Sequence, residues 1–263
     1  MRHPKFRPGW AMAATGLLAA ACLGGFAVAQ TIPRSGYLGD DAGKTITLLG
    51  PAPAPGSPRA EADRAIFRAT RAMKGTPRWA MAQADFNERA VVGNMSCAIG
   101  TKMDLAALPA TTKLILHMAP DIARSVYVPK AASARLRPYK IDPGETCGVL
   151  PASEDNADYP SGHSAWGWAV ALVLAEMLPD RADAILVRGR AVGEGRAICG
   201  VHNYSSIVAG QTVAAAIVAA EHGKPEFQAD FAAAKVELEA AIKAAPFTEG
   251  CDAEAKMLAT PAW

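Results

Sequence analysis

Beyond its first thirty residues the sequence has no apolar run long enough to cross a bilayer as a helix, which takes about 20 residues. The nearest candidates are AWGWAVALVLAEML (165–178) and SIVAGQTVAAAIVAA (206–220), and Gln211 interrupts the second. Both read as buried helices of a globular core. Alternation of apolar and polar residues is nearly missing too. KTITLL (44–49) is the one candidate strand, which excludes a sheet-based fold. No internal repeat is visible. The sequence also lacks a charge excess, with 27 Lys plus Arg against 25 Asp plus Glu. That balance excludes a general basic surface, so no nucleic-acid partner is expected and any anion site must be local.

The first segment, MRHPKFRPGWAMAATGLLAAACLGGFAVAQ, opens with Arg2, Lys5 and Arg7, continues apolar, and ends in AVA before Gln30. This is the layout of a secretory signal peptide with an A-x-A cleavage site. Residues 1–29 are therefore expected to be removed and the protein to be periplasmic. A membrane anchor is a second reading. Cys22 suggests a lipoprotein as a third, although Ala19 stands where a large aliphatic residue is usual. Losing three basic residues leaves 24 Lys plus Arg against 25 Asp plus Glu, a net charge of −1. Cys97, Cys147, Cys199 and Cys251 remain. An even number of cysteines in an exported chain suggests two disulfides, and the sequence alone does not choose among the three pairings.

Residues 30–60 lack helical periodicity, and GPAPAPGSP (50–58) reads as an extended, Pro-rich surface arm. The first helix is expected to start at Ser57–Pro58, and another at Thr76–Pro77, each with a capping hydroxyl and proline at the first helical position. From there to residue 246 the chain reads as helices, with ADFNERAVVGNMSCAIG continuing the pattern. Pro120 and Pro129 are expected to kink or divide a long segment. Pro179 stops the helix begun at SGH, and the glycines of DRADAILVRGRAVGEGRAICG loosen the end of the next. Residues 247–263 read as a C-terminal tail. The fold class is all-α, a single-domain helical bundle.

Three short segments carry the candidate chemistry. In KAASARLRP, Lys130 and Arg137 are seven residues apart, which on a helix puts both cations on one face. Two converging cations clamp a dianion, and an arginine offers a planar fork to phosphate-type oxygens. In DYPSGHSAWGW, Ser161 and Gly162 lie at an expected helix N-terminus, whose N–H groups and dipole suit an anion. His163 there can donate a proton to a leaving oxygen. In GEGRAICGVHNYSSIVAG, Arg196 precedes His202 by six residues, and a neutral imidazole can act as a nucleophile. Taken singly, each has a plainer reading: a solvated basic face, an N-capping serine beside an incidental histidine, and a structural histidine.

Together, K-x6-R-P, P-S-G-H and R-x5-H occur in the order of one composite motif. Here the chain resembles the type 2 phosphatidic acid phosphatase superfamily, and within it the exported class A bacterial acid phosphatases. Vanadium haloperoxidases share the same pocket. DYPSGHSAWG, RAICGVH and NMSCAIG add to the likeness, which covers roughly residues 60–245. The resemblance implies an α-helical bundle with its site at helix ends. It implies that Lys130, Arg137 and Arg196 bind phosphate oxygens, with Ser161 and the Gly162 N–H completing the cradle. His202 would be the nucleophile that becomes phosphorylated, and His163 would protonate the leaving group and then activate water. No metal and no cofactor are implied, and the partner would be a small phosphomonoester substrate. The resemblance also favours Cys147–Cys199, leaving Cys97–Cys251.

Two positions depart from the motif S-R-x5-H-x3-D. Gly195 stands for the serine and Ser206 for the aspartate that orients the histidine. Ser206, at i+4 from His202, is within reach of accepting the imidazole N–H. Alternatively Ser205, a backbone carbonyl or a water accepts it, or catalysis is lost and the protein only binds phosphate compounds. On the first reading Ser206→Asp should raise turnover. A haloperoxidase with vanadium at His202 and a lipid phosphatase are the other enzyme readings; the second normally carries several membrane spans. A homo-oligomer stays open. His117 and His222 read as structural, the latter near a helix end. Trp166, Trp168 and Tyr159 lie close enough to the second segment to wall a pocket, with core packing the plainer role.

Overall fold

The computed structural model describes residues 35–148 and 157–263. The expected signal peptide, and Cys22 with it, lies outside the described residues. Eight helices longer than one turn are considered: α1 Pro58–Thr70, α2 Pro77–Ala84, α3 Pro109–Ala132, α4 Gly162–Met177, α5 Ala182–Ile198, α6 Tyr204–Glu221, α7 Pro225–Ala244 and α8 Cys251–Leu258. Among the described residues there is no strand, and one isolated bridge pairs Thr101 with Pro246. The all-α expectation is met.

Several boundaries follow local chemistry. Ser57 caps α1 through Ala60 N (3.3 Å) and Thr76 caps α2 through Trp79 N (3.3 Å), each followed by proline at the first position. α4 ends at Met177 ahead of Pro179, which begins a 3₁₀ turn. Other expectations fail. KTITLL is not a strand: Gly39–Thr45 forms a 3₁₀ helix and Ile46–Leu49 a helical turn. Six residues have no sheet neighbour to pair with, so the backbone satisfies itself locally. ADFNERAVVGNMSCAIG breaks into 3₁₀ turns at Glu88–Ala90 and Gly93–Met95 and a helical turn at Ser96–Ile99. Pro120 and Pro129 do not divide α3, which runs on from Pro109 to Ala132, because the packing of Leu114, Ile115, Met118, Ile122 and Val126 outweighs the lost hydrogen bonds.

The core is α4, hydrophobic nearly all round, held between α3, α5 and α6, with α7 covering the far side of α3. Val170, Val173, Leu174 and Met177 of α4 are buried with Ile185 and Val192 of α5 and Val213 and Ile217 of α6. Each such side chain contributes about 1.5–3 kcal/mol by leaving water. The glycines of α5 do not loosen it. The helix is continuous to Ile198, and Gly189 faces Ala171 so closely that an added Cβ would lie 2.3 Å from the alanine Cβ. Gly189 lets α5 approach α4, and Gly193 lets it approach Ile207 of α6, where a side chain would hold them off. Trp166 and Trp168 are partly buried and pack against this core.

Both disulfides join segments far apart in the chain. Cys97 pairs with Cys251 and ties α8, in the expected C-terminal tail, to the turn at Ser96–Ile99. Cys147 pairs with Cys199 at the end of α5, inside a second small core with Trp79, Ala82, Ile198 and Val201. No helix among the described residues is long and apolar enough to cross a membrane.

Candidate active site

α5 delivers two of the site residues through the way it stops. Cys199 is its C-cap, and Gly200 follows with φ of 71°, in the left-handed region. Gly200 N donates to Ala197 O (2.9 Å) and Val201 N to Arg196 O (3.0 Å), the paired bonds of a Schellman motif. His202 N also approaches Arg196 O at 3.3 Å. The R-x5-H spacing is thus one helix turn plus a fixed reversal, which returns the histidine to the carbonyl of the arginine. The Arg196 guanidinium carbon lies 5.0 Å from the centre of the Phe86 ring. At Gly195 an added Cβ would lie 3.4 Å from Ala82 Cβ, so α5 and α2 meet closely there.

Lys130 and Arg137 do not share a helix face as the seven-residue spacing suggests. α3 ends at Ala132, and Arg137 sits in extended backbone (φ −68°, ψ 150°) ahead of Pro138. A residue before proline is steered away from helical geometry. The two cations converge because the chain turns back. Lys130 Nζ donates to Ala157 O (2.9 Å), and Arg137 Nη1 donates to Val201 O (2.9 Å) and lies 3.2 Å from His202 Nε2. Lys130, Arg137 and Arg196 are all buried.

Ser161 is the N-cap of α4, accepting from Ser164 N (3.4 Å) and Ser164 Oγ (2.9 Å). Its own N–H donates to Ser206 O (3.0 Å), which fastens the start of α4 to the start of α6. Gly162 and His163 open the helix, where N–H groups have no partner in the preceding turn. His163 Nε2 lies 3.0 Å from Phe86 O. A carbonyl only accepts, so Nε2 carries the proton and Nδ1 the lone pair. Burial first, then the charge of Arg196, hold His163 well below the usual imidazole range.

His202 is buried, with its two ring nitrogens in opposite surroundings. Nε2 faces the Arg137 guanidinium, a donor. Nδ1 lies 3.0 Å from Asp158 Oδ1. The ring is therefore neutral, protonated on Nδ1, with its lone pair on Nε2 among the cations. Burial, then Arg137, Lys130 and Arg196, keep its pKa well below the ordinary value. Ser206 does not accept the imidazole N–H, and neither does Ser205. Ser206 Oγ donates instead to Asp158 Oδ2, and Ser205 bonds Asp63. The acceptor comes from a different segment.

Asp158 is the residue that reading the motif missed. It stands directly before YPSGH, so a carboxylate adjoining a motif was the available signal. Asp63 and Arg135 were missed as well. Arg135 Nη2 donates to Asp63 Oδ2 (2.7 Å), Arg135 Nη1 to Ser205 Oγ (2.5 Å), and Asp158 N to Arg135 O (2.9 Å). Tyr159 is buried and its hydroxyl donates to Leu49 O (3.2 Å); it lines a mostly apolar cavity of about 720 Å³ under the Gly50–Gly56 arm rather than the cationic site. His117 stacks on Tyr37 at 4.0 Å between ring centres, and His222, the C-cap of α6, lies 2.9 Å from Glu176.

Residues 110–225 match the family model described as the PAP2 superfamily. The chain is 38% identical over 205 residues to an acid phosphatase of Zymomonas mobilis, covering 74% of this chain and 76% of the relative. It is 35% identical over 198 residues to a non-specific acid phosphatase of Providencia stuartii, covering 73% and 80%. A non-specific acid phosphatase of Salmonella typhimurium is 32% identical over 200 residues, covering 72% and 78%.

Proposed function

The chain belongs to the PAP2 superfamily, among its bacterial acid phosphatases, and we propose that it hydrolyses phosphomonoesters in the periplasm without a metal, through a phosphohistidine at His202. The observation that carries this reading is the state of His202: neutral, hydrogen-bonded through Nδ1 to Asp158 and with the Nε2 lone pair facing Arg137. An imidazole so held is a nucleophile whose lone pair points into a cationic field.

In the first step the Nε2 lone pair attacks phosphorus, the N–P bond forms and the P–O bond to the alcohol breaks. His163 supplies a proton to the departing oxygen. In the second step water attacks the phosphohistidine, His163 takes its proton, the N–P bond breaks and inorganic phosphate leaves. Lys130, Arg137 and Arg196 hold the phosphoryl oxygens, with Ser161 and the Gly162 N–H, and stabilise the charge that builds on them. Binding a dianion also raises the pKa of His163, which is otherwise held neutral by burial and Arg196. Substrate thereby charges its own general acid.

The test is hydrolysis of p-nitrophenyl phosphate by the purified protein with EDTA at several pH values. Turnover that resists the chelator and disappears in His202→Ala is expected. Chelator-sensitive turnover, or a fully active His202→Ala, overturns the mechanism. Saturable phosphate binding with no turnover at any pH would make the protein a binding module.

A further inference from the structure

The PAP2-type motif supplies its orienting carboxylate four residues after the histidine, and this chain has Ser206 there. We infer that Asp158 has taken over this task as a positioning residue, with Ser206 demoted to holding the carboxylate in place. The inference rests on the phosphatase reading for what His202 does, but its geometry stands by itself.

Asp158 is fully buried and met by donors on both oxygens. Oδ1 lies 3.0 Å from His202 Nδ1 and accepts from Asn203 N at 3.1 Å. Oδ2 accepts from Asn203 Nδ2 at 2.9 Å and from Ser206 Oγ, with Arg135 Nη1 3.5 Å away. The Asn203 backbone N–H and Arg135 have nothing to accept with, so they call for a carboxylate rather than a carboxylic acid. Burial holds the Asp158 pKa above the usual carboxylate range, and Ser206, Asn203 and Arg135 counter part of that rise; the donor-only partners are what favour the carboxylate. A carboxylate so surrounded fixes the imidazole tautomer and stabilises the positive ring that forms when Nε2 attacks phosphorus. These are the two services that the motif aspartate gives.

The position of Ser206 follows from this arrangement. In the first turn of α6, it shares one carboxylate with His202: its hydroxyl meets the other oxygen of Asp158, which arrives from the segment before Tyr159. The Ser161 N–H on Ser206 O ties these segments together. A carboxylate at 206 would face Asp158 directly in a buried site, and two adjacent like charges cannot both ionise there. Ser206→Asp should therefore lower turnover, against the expectation from the motif. Moving both residues at once restores one carboxylate and one hydroxyl.

The experiment compares wild type, Asp158→Ser, Ser206→Asp and the double variant on p-nitrophenyl phosphate. Asp158→Ser should lower kcat by up to about 10⁴-fold, as losing the carboxylate behind a catalytic histidine does in other enzymes, and Ser206→Asp should lower it as well, through crowding of two carboxyls. KM should stay within a few-fold, because no phosphate ligand is altered. The double variant should recover at least about tenfold in kcat over Asp158→Ser, a rescue that simple loss of packing does not produce. In parallel, ¹⁵N NMR of histidine-labelled wild type should show His202 as the Nδ1–H tautomer. Wild-type kcat in Asp158→Ser, a gain in Ser206→Asp alone, or an Nε2–H tautomer at His202 would each overturn the inference. A wild-type protein with no turnover counts against the phosphatase reading, while the tautomer still decides the role of Asp158.

Discussion

Asp63, in the middle of α1, accepts from the backbone N–H and the hydroxyl of Ser205 in the first turn of α6, at 2.7 and 2.5 Å. The same carboxylate holds Arg135, whose backbone carbonyl in turn holds Asp158. A helix with no residue in the cationic site thus sets where His202 and its carboxylate stand. Asp63→Ala leaves the partly buried Arg135 with Ser205 Oγ and, at 3.5 Å, Asp158 as its remaining partners, and takes the acceptor from Ser205 N; removing such an acceptor costs about 1–3 kcal/mol. Denaturant unfolding should show a loss of that order. In Asp63→Ala/Arg135→Ala the loss should be smaller than the sum of the two singles.

Gly210 of α6 lies against the start of α4. An added Cβ would be 2.4 Å from Ser161 O and 3.1 Å from Ala165 N, both backbone atoms. Gly210→Ala must push the two helices apart at the residue that caps α4. Overpacking of this kind costs typically about 1–3 kcal/mol. A lower Tm is expected, and a fall in kcat measured well below that Tm, although no phosphate ligand is touched.

Asp121 of α3 and Glu221 of α6 are buried carboxyls beside each other, surrounded by Tyr37 and Leu38 of the N-terminal arm, His117 of α3, and Glu226 and Asp230 of α7. Burial first, then Asp121, push Glu221 up from 4.5 to about 9. Its proton is retained in the folded state while the unfolded chain has already released it. Stability on this account is full below pH 4.5 and falls as pH rises towards about 9. Thermal melts across that window should show Glu221→Gln gaining on wild type with rising pH, since the amide keeps a donor and has no proton to lose.

The disulfide between Cys147 and Cys199 closes a separation of 52 residues. On chain entropy alone a loop of that size is worth about 4 kcal/mol. Cys147→Ser/Cys199→Ser should lower the unfolding free energy by that order in denaturant titrations. At temperatures well below the transition kcat should be largely kept, because the Schellman turn and the Arg196 carbonyl still position His202.

Much of the fold is legible along the chain. Ser57–Pro58, Thr76–Pro77 and Ser161–Gly162 start helices by capping bonds made within three residues, and such signals need no knowledge of the rest of the protein. The resemblance likewise names the cations and histidines of the site. What the local patterns misread are places where a distant partner decides. α3 continues through two prolines because its apolar side is buried. α5 continues through its glycines because α4, α6 and α2 lie against them. KTITLL does not become a strand because no other strand is there to pair with it.

The sequence by itself determined the helical class, the start of most helices and which side chains are candidates for the chemistry, because these depend on residue type and short spacing. The cysteines pair as the resemblance implies, and only the tertiary structure decided how Lys130 and Arg137 come to act on His202 across a chain reversal. It also decided which atom receives the proton of His202. Asp158 and His202 are 44 residues apart and meet through α4 and α6 packing side by side. A hydrogen bond depends on where two atoms end up, and here the carboxylate reached the imidazole along a different segment from the one the motif prescribes.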